Sequence, residues 1–189
     1  MNLYGKSKGI AESIFVAANA YGHGSHFASV RGGNVWGSRG SVLDQWLTLN
    51  PIPVTDLQAT RFHLPMPYWL DFCLKAVDTM HGGEIFIPKC DAWSLANLSA
   101  AFCEVYRDKE IKIIGARSGD KLHETLVSQY ETNRTIDLGW SYVIEPNDDI
   151  RRVWNYAPHK GKKISQAIES NTASKMAVDE LRSLIVATL

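Results

Sequence analysis

The chain has 189 residues, 45% hydrophobic and 21% charged, enough to bury one core or two small ones and ordinary for a globular protein. Twenty basic and twenty acidic side chains cancel, so no net field directs it to nucleic acid or to an anionic surface. No apolar run reaches the roughly 20 residues of a spanning helix, and the N-terminus lacks the basic-then-apolar order of a signal peptide.

Ile10, Ile14, Ala17 and Ala18, widened by Leu3, Phe15 and Val16, predict a helix over residues 3 to about 21. Tyr4 and Lys8, at i and i+4, project from one face of it, where the ammonium can favour the phenolate and hold a nearby hydroxyl. Tyr21-Gly22-His23-Gly24-Ser25 ends the helix. A strand is expected at 27–31, running into a glycine-dense loop at 32–41 and a helix at 42–47 that Asn50-Pro51-Ile52-Pro53 breaks. Residues 60–63 read as extended. Pro67 opens a helix to about residue 80, with Trp69, Leu70, Phe72, Cys73, Ala76 and Val77 as its buried side and Tyr68 also in the core. His81-Gly82-Gly83 stops it, before a strand at 84–88, a helix at 94–103 and a strand at 111–115. This order of elements indicates an α/β architecture. Residues 147–163 are polar and read as a surface loop or a partly disordered stretch. Leu181, Leu184, Ile185 and Leu189 restore a helical pattern over 177–189.

The three cysteines (Cys73, Cys90, Cys103) are odd in number and widely spaced, which fits neither a disulfide framework nor a Cys-x-x-Cys metal site and suits a reducing cytoplasm. The six histidines have no ligand spacing, so no metal is expected; His81 reads as a turn residue. Lys160-Gly161-Lys162-Lys163 reads as a solvated loop. Arg117 and Asp120 are either a surface ion pair or part of an anion site.

Six segments carry a resemblance when taken in order. They are Leu3-Tyr4-Gly5-Lys6-Ser7-Lys8 with Phe15-Val16-Ala17-Ala18-Asn19; Asn34-Val35-Trp36-Gly37-Ser38-Arg39-Gly40-Ser41-Val42; Pro53-Val54-Thr55-Asp56; Thr60-Arg61-Phe62; Met80-His81-Gly82-Gly83-Glu84-Ile85-Phe86-Ile87-Pro88-Lys89; and Ile113-Ile114-Gly115-Ala116-Arg117-Ser118-Gly119-Asp120-Lys121-Leu122-His123-Glu124. Together, from residue 2 to about 127, they resemble the inverting UDP-N-acetylglucosamine 4,6-dehydratases, the polysaccharide-biosynthesis branch of the extended short-chain dehydrogenase/reductase family. The resemblance implies the C-terminal part of a Rossmann-like core plus a smaller α/β substrate-binding lobe. It divides the chain into a remnant of the NADP-binding core at 1–50, a substrate lobe at 51–145 whose residues 64–90 pack back on the core, and a polar loop with a C-terminal helix at 146–189.

The resemblance also assigns roles. Tyr4 and Lys8 would be the catalytic pair and touch the cofactor, NADP, with Val35, Trp36, Gly37, Ser38 and Arg39 lining the cofactor and sugar cleft. Asn34 and Thr55 would contact substrate. Arg117 would grip the UDP diphosphate with its planar fork of donors, and Asp120 would orient it or meet a ribose hydroxyl. The implied activity is 4,6-dehydration of UDP-N-acetylglucosamine with inversion at C5. The chain departs from the pattern at Gly32, where the family carries an aromatic, and at Trp36, where it carries a small aliphatic residue. The Gly-x-x-Gly-x-x-Gly turn and the Thr-Asp-Lys tripeptide with the family's acid/base lysine are not in this sequence. The expectation is a truncated or split cytoplasmic enzyme, working as a homo-oligomer or with a separate N-terminal half. Its rival is a UDP-sugar-binding or interaction remnant without catalysis.

Overall fold

The computed structural model describes residues 3–21, 24–154 and 156–189, and the side chains of Tyr4, Ile150 and Trp154 lie outside that description. Gly22 and His23, expected to end the first helix, also fall outside it. In chain order the elements are α1 (Leu3–Ala18), β1 (Ser29–Val30), α2 (Val42–Thr48), β2 (Ile52–Val54), β3 (Thr60–Phe62), α3 (Met66–Thr79), β4 (Ile85–Pro88), β5 (Ala92–Ser94) and α4 (Leu95–Val105). There follow β6 (Ile111–Ile113), β7 (Thr125–Val127), β8 (Thr135–Asp137), β9 (Ser141–Ile144), α5 (Asp148–Trp154), β10 (Lys162–Lys163), β11 (Ile168–Glu169) and α6 (Val178–Thr188). The chain is α/β.

These elements form two compact units assembled from alternating stretches of chain. The first comprises Met1–Gly32, Pro67–Lys89 and Thr125–Ile168; the second comprises Gly33–Met66, Cys90–Glu124 and Glu169–Leu189.

In the first unit a five-stranded sheet runs in the order β1-β4-β9-β8-β10. β1 and β4 are parallel (Ser29↔Ile85, Val30↔Phe86), whereas β9 and β8 are added antiparallel. Asp137 accepts the Gly139 backbone N–H at 2.7 Å, closing the turn between β8 and β9, and Gly139 takes the positive φ that turn needs. Phe72 and Ala76 of α3 pack on Phe86 and Val143, with Trp69 and Trp140 at the margin. Buried Asn19 ties the end of α1 to the sheet, donating to the Val16 and Phe27 carbonyls and accepting the Phe27 N–H, all within 3.0 Å.

Two expectations are corrected here. Leu70 and Val77 of α3 are 56% and 66% exposed, and Tyr68 is exposed too. The helix is apolar on two faces: positions 69, 72, 73 and 76 turn inward, leaving 66, 70, 74 and 77 as an outer stripe. The stretch at 147–163 is not simply a loop. Asp148 and Asp149 lie in the first turn of α5 and Arg151 and Arg152 in its last, the arrangement the helix dipole favours. Lys162 and Lys163 pair with Asp137 and Ile136 at the sheet edge.

In the second unit α4 and α6 pack side by side, with Leu98, Phe102, Leu181 and Ile185 fully buried around Leu43, Trp46, Ile52 and Val54. Ser41 caps α2 by accepting the Asp44 N–H, and Asp44 returns the favour to the Gly40 N–H at 2.6 Å. β2 and β6 are parallel neighbours, Val54 opposite Ile113, and β3 pairs antiparallel with β5. Among the described residues no helix is long and apolar enough to cross a membrane.

Candidate functional site

The glycine-dense loop forms a cleft of about 420 Å³ in the second unit, lined by residues 34–43 with Arg61, Trp93 and Leu95. The loop is pinned beside β3: Val35 bridges Leu64, and the Trp36 N–H donates to the Leu64 carbonyl at 2.9 Å. Gly37 and Gly40 take positive φ, +66° and +76°, which turns the chain sharply, and the backbone at Gly40 stays open. Gly33 sits so close to Phe62 that a Cβ there would lie 3.1 Å from the Phe62 Cβ. Asn34, Ser38 and Arg39 are exposed at the rim, whereas Val35 and Trp36 are half-buried in the wall.

Thr55 and Arg117 leave the same end of the parallel pair β2–β6. Thr55 follows Val54 directly, and the Ile114 N–H donates to the Val54 carbonyl at 2.9 Å just before the turn that carries Arg117. The C-terminal ends of parallel strands are where α/β proteins receive ligands. That turn is shaped by Gly115 and Gly119, both at positive φ. The sequence offered Asp120 as a partner for the Arg117 guanidinium. Instead its carboxylate accepts the Arg117 backbone N–H at 2.8 Å, closing the turn and leaving the guanidinium outside that bond.

A second polar centre of this unit was not anticipated. The Ser170 hydroxyl accepts the Glu124 N–H at 2.8 Å and lies 2.6 Å from the Thr60 hydroxyl, which also meets His123 Nδ1 at 2.8 Å. Glu124 accepts the Phe62 N–H at 2.9 Å with Arg61 3.9 Å away. Burial pushes the Glu124 carboxyl up, against that hydrogen bond and the nearby cations. The Thr60-Arg61-Phe62 and His123-Glu124 segments stood among the recognised motifs, but their mutual contact lies 60 residues apart and leaves no local signal.

Of the expected catalytic pair, Lys8 lies exposed on α1 in the first unit, and the Tyr4 side chain is outside the described residues. The sequence-predicted residues therefore divide: Lys8 belongs to one unit, and Asn34, Val35, Trp36, Gly37, Ser38, Arg39, Thr55, Arg117 and Asp120 to the other.

The first unit has two charged centres that sequence spacing could not reveal. Arg31 is gripped by Glu12 at 2.6 Å and Glu131 at 2.8 Å, and also donates to the Leu126 carbonyl at 2.8 Å. The other joins His81, Glu84 and His159, whose potential ligand atoms lie within 4.8 Å of one another. Fully buried Glu84 accepts the His81 and Gly82 backbone N–H groups and meets His159 Nε2 at 3.1 Å. Burial opposes the charge on Glu84, but these hydrogen bonds outweigh it and hold its carboxyl below the usual range. The His81 and His159 rings stack 4.4 Å apart and only 8° from parallel. The hydrogen bonds to Glu84 tie the 81–84 turn to His159. Among the described residues, His81, Glu84 and His159 form the one such cluster of three metal-type side chains.

The family model described as polysaccharide biosynthesis protein matches residues 1–146. The inverting UDP-N-acetylglucosamine 4,6-dehydratase of Campylobacter jejuni strain 81-176 is 38% identical over 78% of this chain and 45% of its own length. The UDP-glucose 4-epimerase of Rickettsia felis is 32% identical over 98% of this chain and 57% of its own. Thus the chain spans about half the length of the curated relatives it matches. The solved structure of Pen from Bacillus thuringiensis superposes with a TM-score of 0.82 at 29% identity, covering 98% of this chain and 57% of that one. RMD from Pseudomonas aeruginosa, solved with NADPH, shares the fold with a TM-score of 0.53 at 14% identity, covering 100% of this chain and 55% of that one. With more than three quarters of its length matched, the chain belongs to the polysaccharide biosynthesis protein family, on the branch that resembles the inverting UDP-N-acetylglucosamine 4,6-dehydratases.

Proposed function

We propose that the chain supplies the sugar-nucleotide side of an NADP-dependent, inverting UDP-N-acetylglucosamine 4,6-dehydratase serving surface polysaccharide or glycan biosynthesis in the cytoplasm. The observation that carries this reading is that Thr55 and Arg117 leave one end of the β2–β6 pair, in the same unit as the loop cleft of residues 34–43. Arg117 grips the diphosphate, and Thr55 and Asn34 offer short hydrogen-bonding groups to sugar or phosphate oxygens. Lys8 holds a ribose hydroxyl and favours the phenolate of Tyr4, which accepts the proton of the sugar C4 hydroxyl. Each unit carries donors whose chemistry suits the nicotinamide-ribose end of NADP: an ammonium at Lys8 in the first, and a guanidinium at Arg39 with open backbone at Gly40 in the second. When bound, NADP supplies reversible hydride acceptance.

The acid/base lysine of the family's Thr-Asp-Lys tripeptide is not in this sequence. Turnover therefore requires the segment of the family fold that carries that lysine, and the working form is a homo-oligomer or a complex that includes that segment. A second reading, UDP-sugar binding without turnover, is favoured by the division of the predicted residues: the whole substrate set belongs to one unit and Lys8 to the other.

Titration calorimetry of the full chain with UDP tests the shared core of both readings. Replacing Arg117 by Ala removes a charge-assisted, bidentate contact and weakens UDP binding roughly 10- to 100-fold. Equal affinities in the two proteins would remove Arg117 from the diphosphate site and overturn the reading. Turnover with the lysine-bearing segment supplied separates the enzyme from the binding module.

A further inference from the structure

Trp36 is the largest side chain of the cleft loop, and several contacts hold it. Its indole N–H donates to the Thr188 hydroxyl at 2.9 Å, in the last turn of α6. The Thr188 hydroxyl in turn donates to the Leu184 carbonyl at 2.7 Å, so the acceptor is oriented by its own helix. Next along the loop, Gly37 sits so near Thr188 that a Cβ would lie 2.8 Å from its Cγ2. The indole also meets the His63 ring (centroids 5.1 Å apart, 65° between planes) and the Trp93 ring (6.4 Å, 78°). Both contacts are edge-type, the arrangement aromatic quadrupoles prefer over face-to-face overlap. Trp36 remains only half-buried and still lines the cleft, beside two guanidinium groups, Arg39 and Arg61. The Arg61 Nη1 donates to the Thr60 and Leu122 carbonyls, which anchors that side chain in the wall.

We infer that Trp36 is a ligand-contacting, specificity-determining residue: the flat ring of a nucleotide packs on its indole, and α6 fixes the indole through Thr188. The inference rests on the reading of the chain as a nucleotide-sugar protein and deepens it. A small aliphatic side chain at 36 would leave a wider slot with no aromatic surface. An indole adds that surface, and the adjacent guanidinium groups suit the phosphate of the same ligand. The ring comes from one of two sources, the uracil of UDP or the nicotinamide of NADP.

The test uses the full chain and the variants Trp36→Leu, Trp36→Phe and Thr188→Val. Each is titrated with UDP and with NADPH by calorimetry, and saturation-transfer NMR compares ring protons with ribose protons of the bound ligand. Trp36→Leu weakens one of the two ligands about tenfold, the scale of one base–aromatic stack, and lowers the ring share of its transferred saturation. Trp36→Phe keeps a flat face and stays near the native value, which controls for a folding defect in the Leu variant. Thr188→Val shifts the same ligand in the same direction by less. The ligand that responds identifies the source of the ring. Unchanged affinity for both ligands in Trp36→Leu, or an affinity loss with an unchanged ring-to-ribose ratio, overturns the role of Trp36. An unchanged Thr188→Val overturns the tether from α6. If the native chain binds neither ligand, the nucleotide-sugar reading itself fails and this inference with it, whereas native binding with an indifferent Trp36 sinks the inference alone.

Discussion

Arg31 is the hub of a charged cluster in the first unit. Its guanidinium joins α1, through Glu12, to Glu131 and the Leu126 carbonyl. Burial alone would raise the Glu131 carboxyl, but hydrogen bonds from Arg31 and Ser128 prevail and bring it to about 2. A carboxyl depressed in the folded state adds stability above its unfolded value, near 4.5, and loses it as the pH falls toward 2. Glu131→Gln should therefore cost on the order of 2 kcal/mol at pH 7. In urea unfolding measured from pH 7 downward, the gap between the two proteins should close between about pH 4.5 and 2. A gap that persists at pH 2 would assign the stability to something other than this ion pair. The residue scale is also where sequence reading is most uneven. Which atom of Arg117 meets Asp120 was not legible, since spacing alone does not distinguish a backbone donor from a guanidinium. His81 and His159 stack across 78 positions of sequence, so only the fold brings them together.

At the scale of elements, α1, α2, α4 and α6 lie within a few residues of their sequence-read limits, because each has one clear apolar periodicity or a cap such as Ser41 or Ser94. α3 was right in extent and partly wrong in orientation, since apolar residues on two faces give no unique inward side. β7, β8 and β9 were missed, although Asp137 two residues before Gly139 was a usable turn signal. α6 contributes Leu181 and Ile185 to the core of the second unit, both with no exposed surface. Ile185→Ala should destabilise the chain by about 2–5 kcal/mol, the range for deleting a buried aliphatic side chain. Chemical denaturation at neutral pH provides the value, and a loss under about 1 kcal/mol would mean that α6 is not tightly docked.

At the scale of the whole molecule, much apolar surface of the first unit faces outward. Leu3, Ile10, Ile14 and Phe15 on α1 are 84%, 62%, 63% and 53% exposed, and Leu70, Leu74 and Val77 on α3 are exposed as well. Monomers rarely leave so much apolar surface in contiguous patches. The purified chain is expected to self-associate, most simply as a twofold dimer. Light scattering at high concentration decides this, and a well-behaved monomer would refute it. The α/β class was readable from element order alone, and the family from motif order. The alternation of the two units was not, because it is set by contacts between distant stretches.

That alternation bears on how the chain is made. The polypeptide passes between the two units at residues 32–33, 66–67, 89–90, 124–125 and 168–169, so neither is a contiguous stretch that can be completed early. Proteins emerge from the ribosome N-terminus first, at about 5–20 residues per second, and ordinary domains close in that order. Here residues 33–66, with the candidate cleft loop, emerge well before Leu181 and Ile185, on which their core depends. The apolar side chains of residues 33–66 stay without these last partners until α6 has emerged. This is the interval in which a nascent chain draws on chaperones, and a stop codon anywhere before α6 costs the cleft its foundation rather than just its tail.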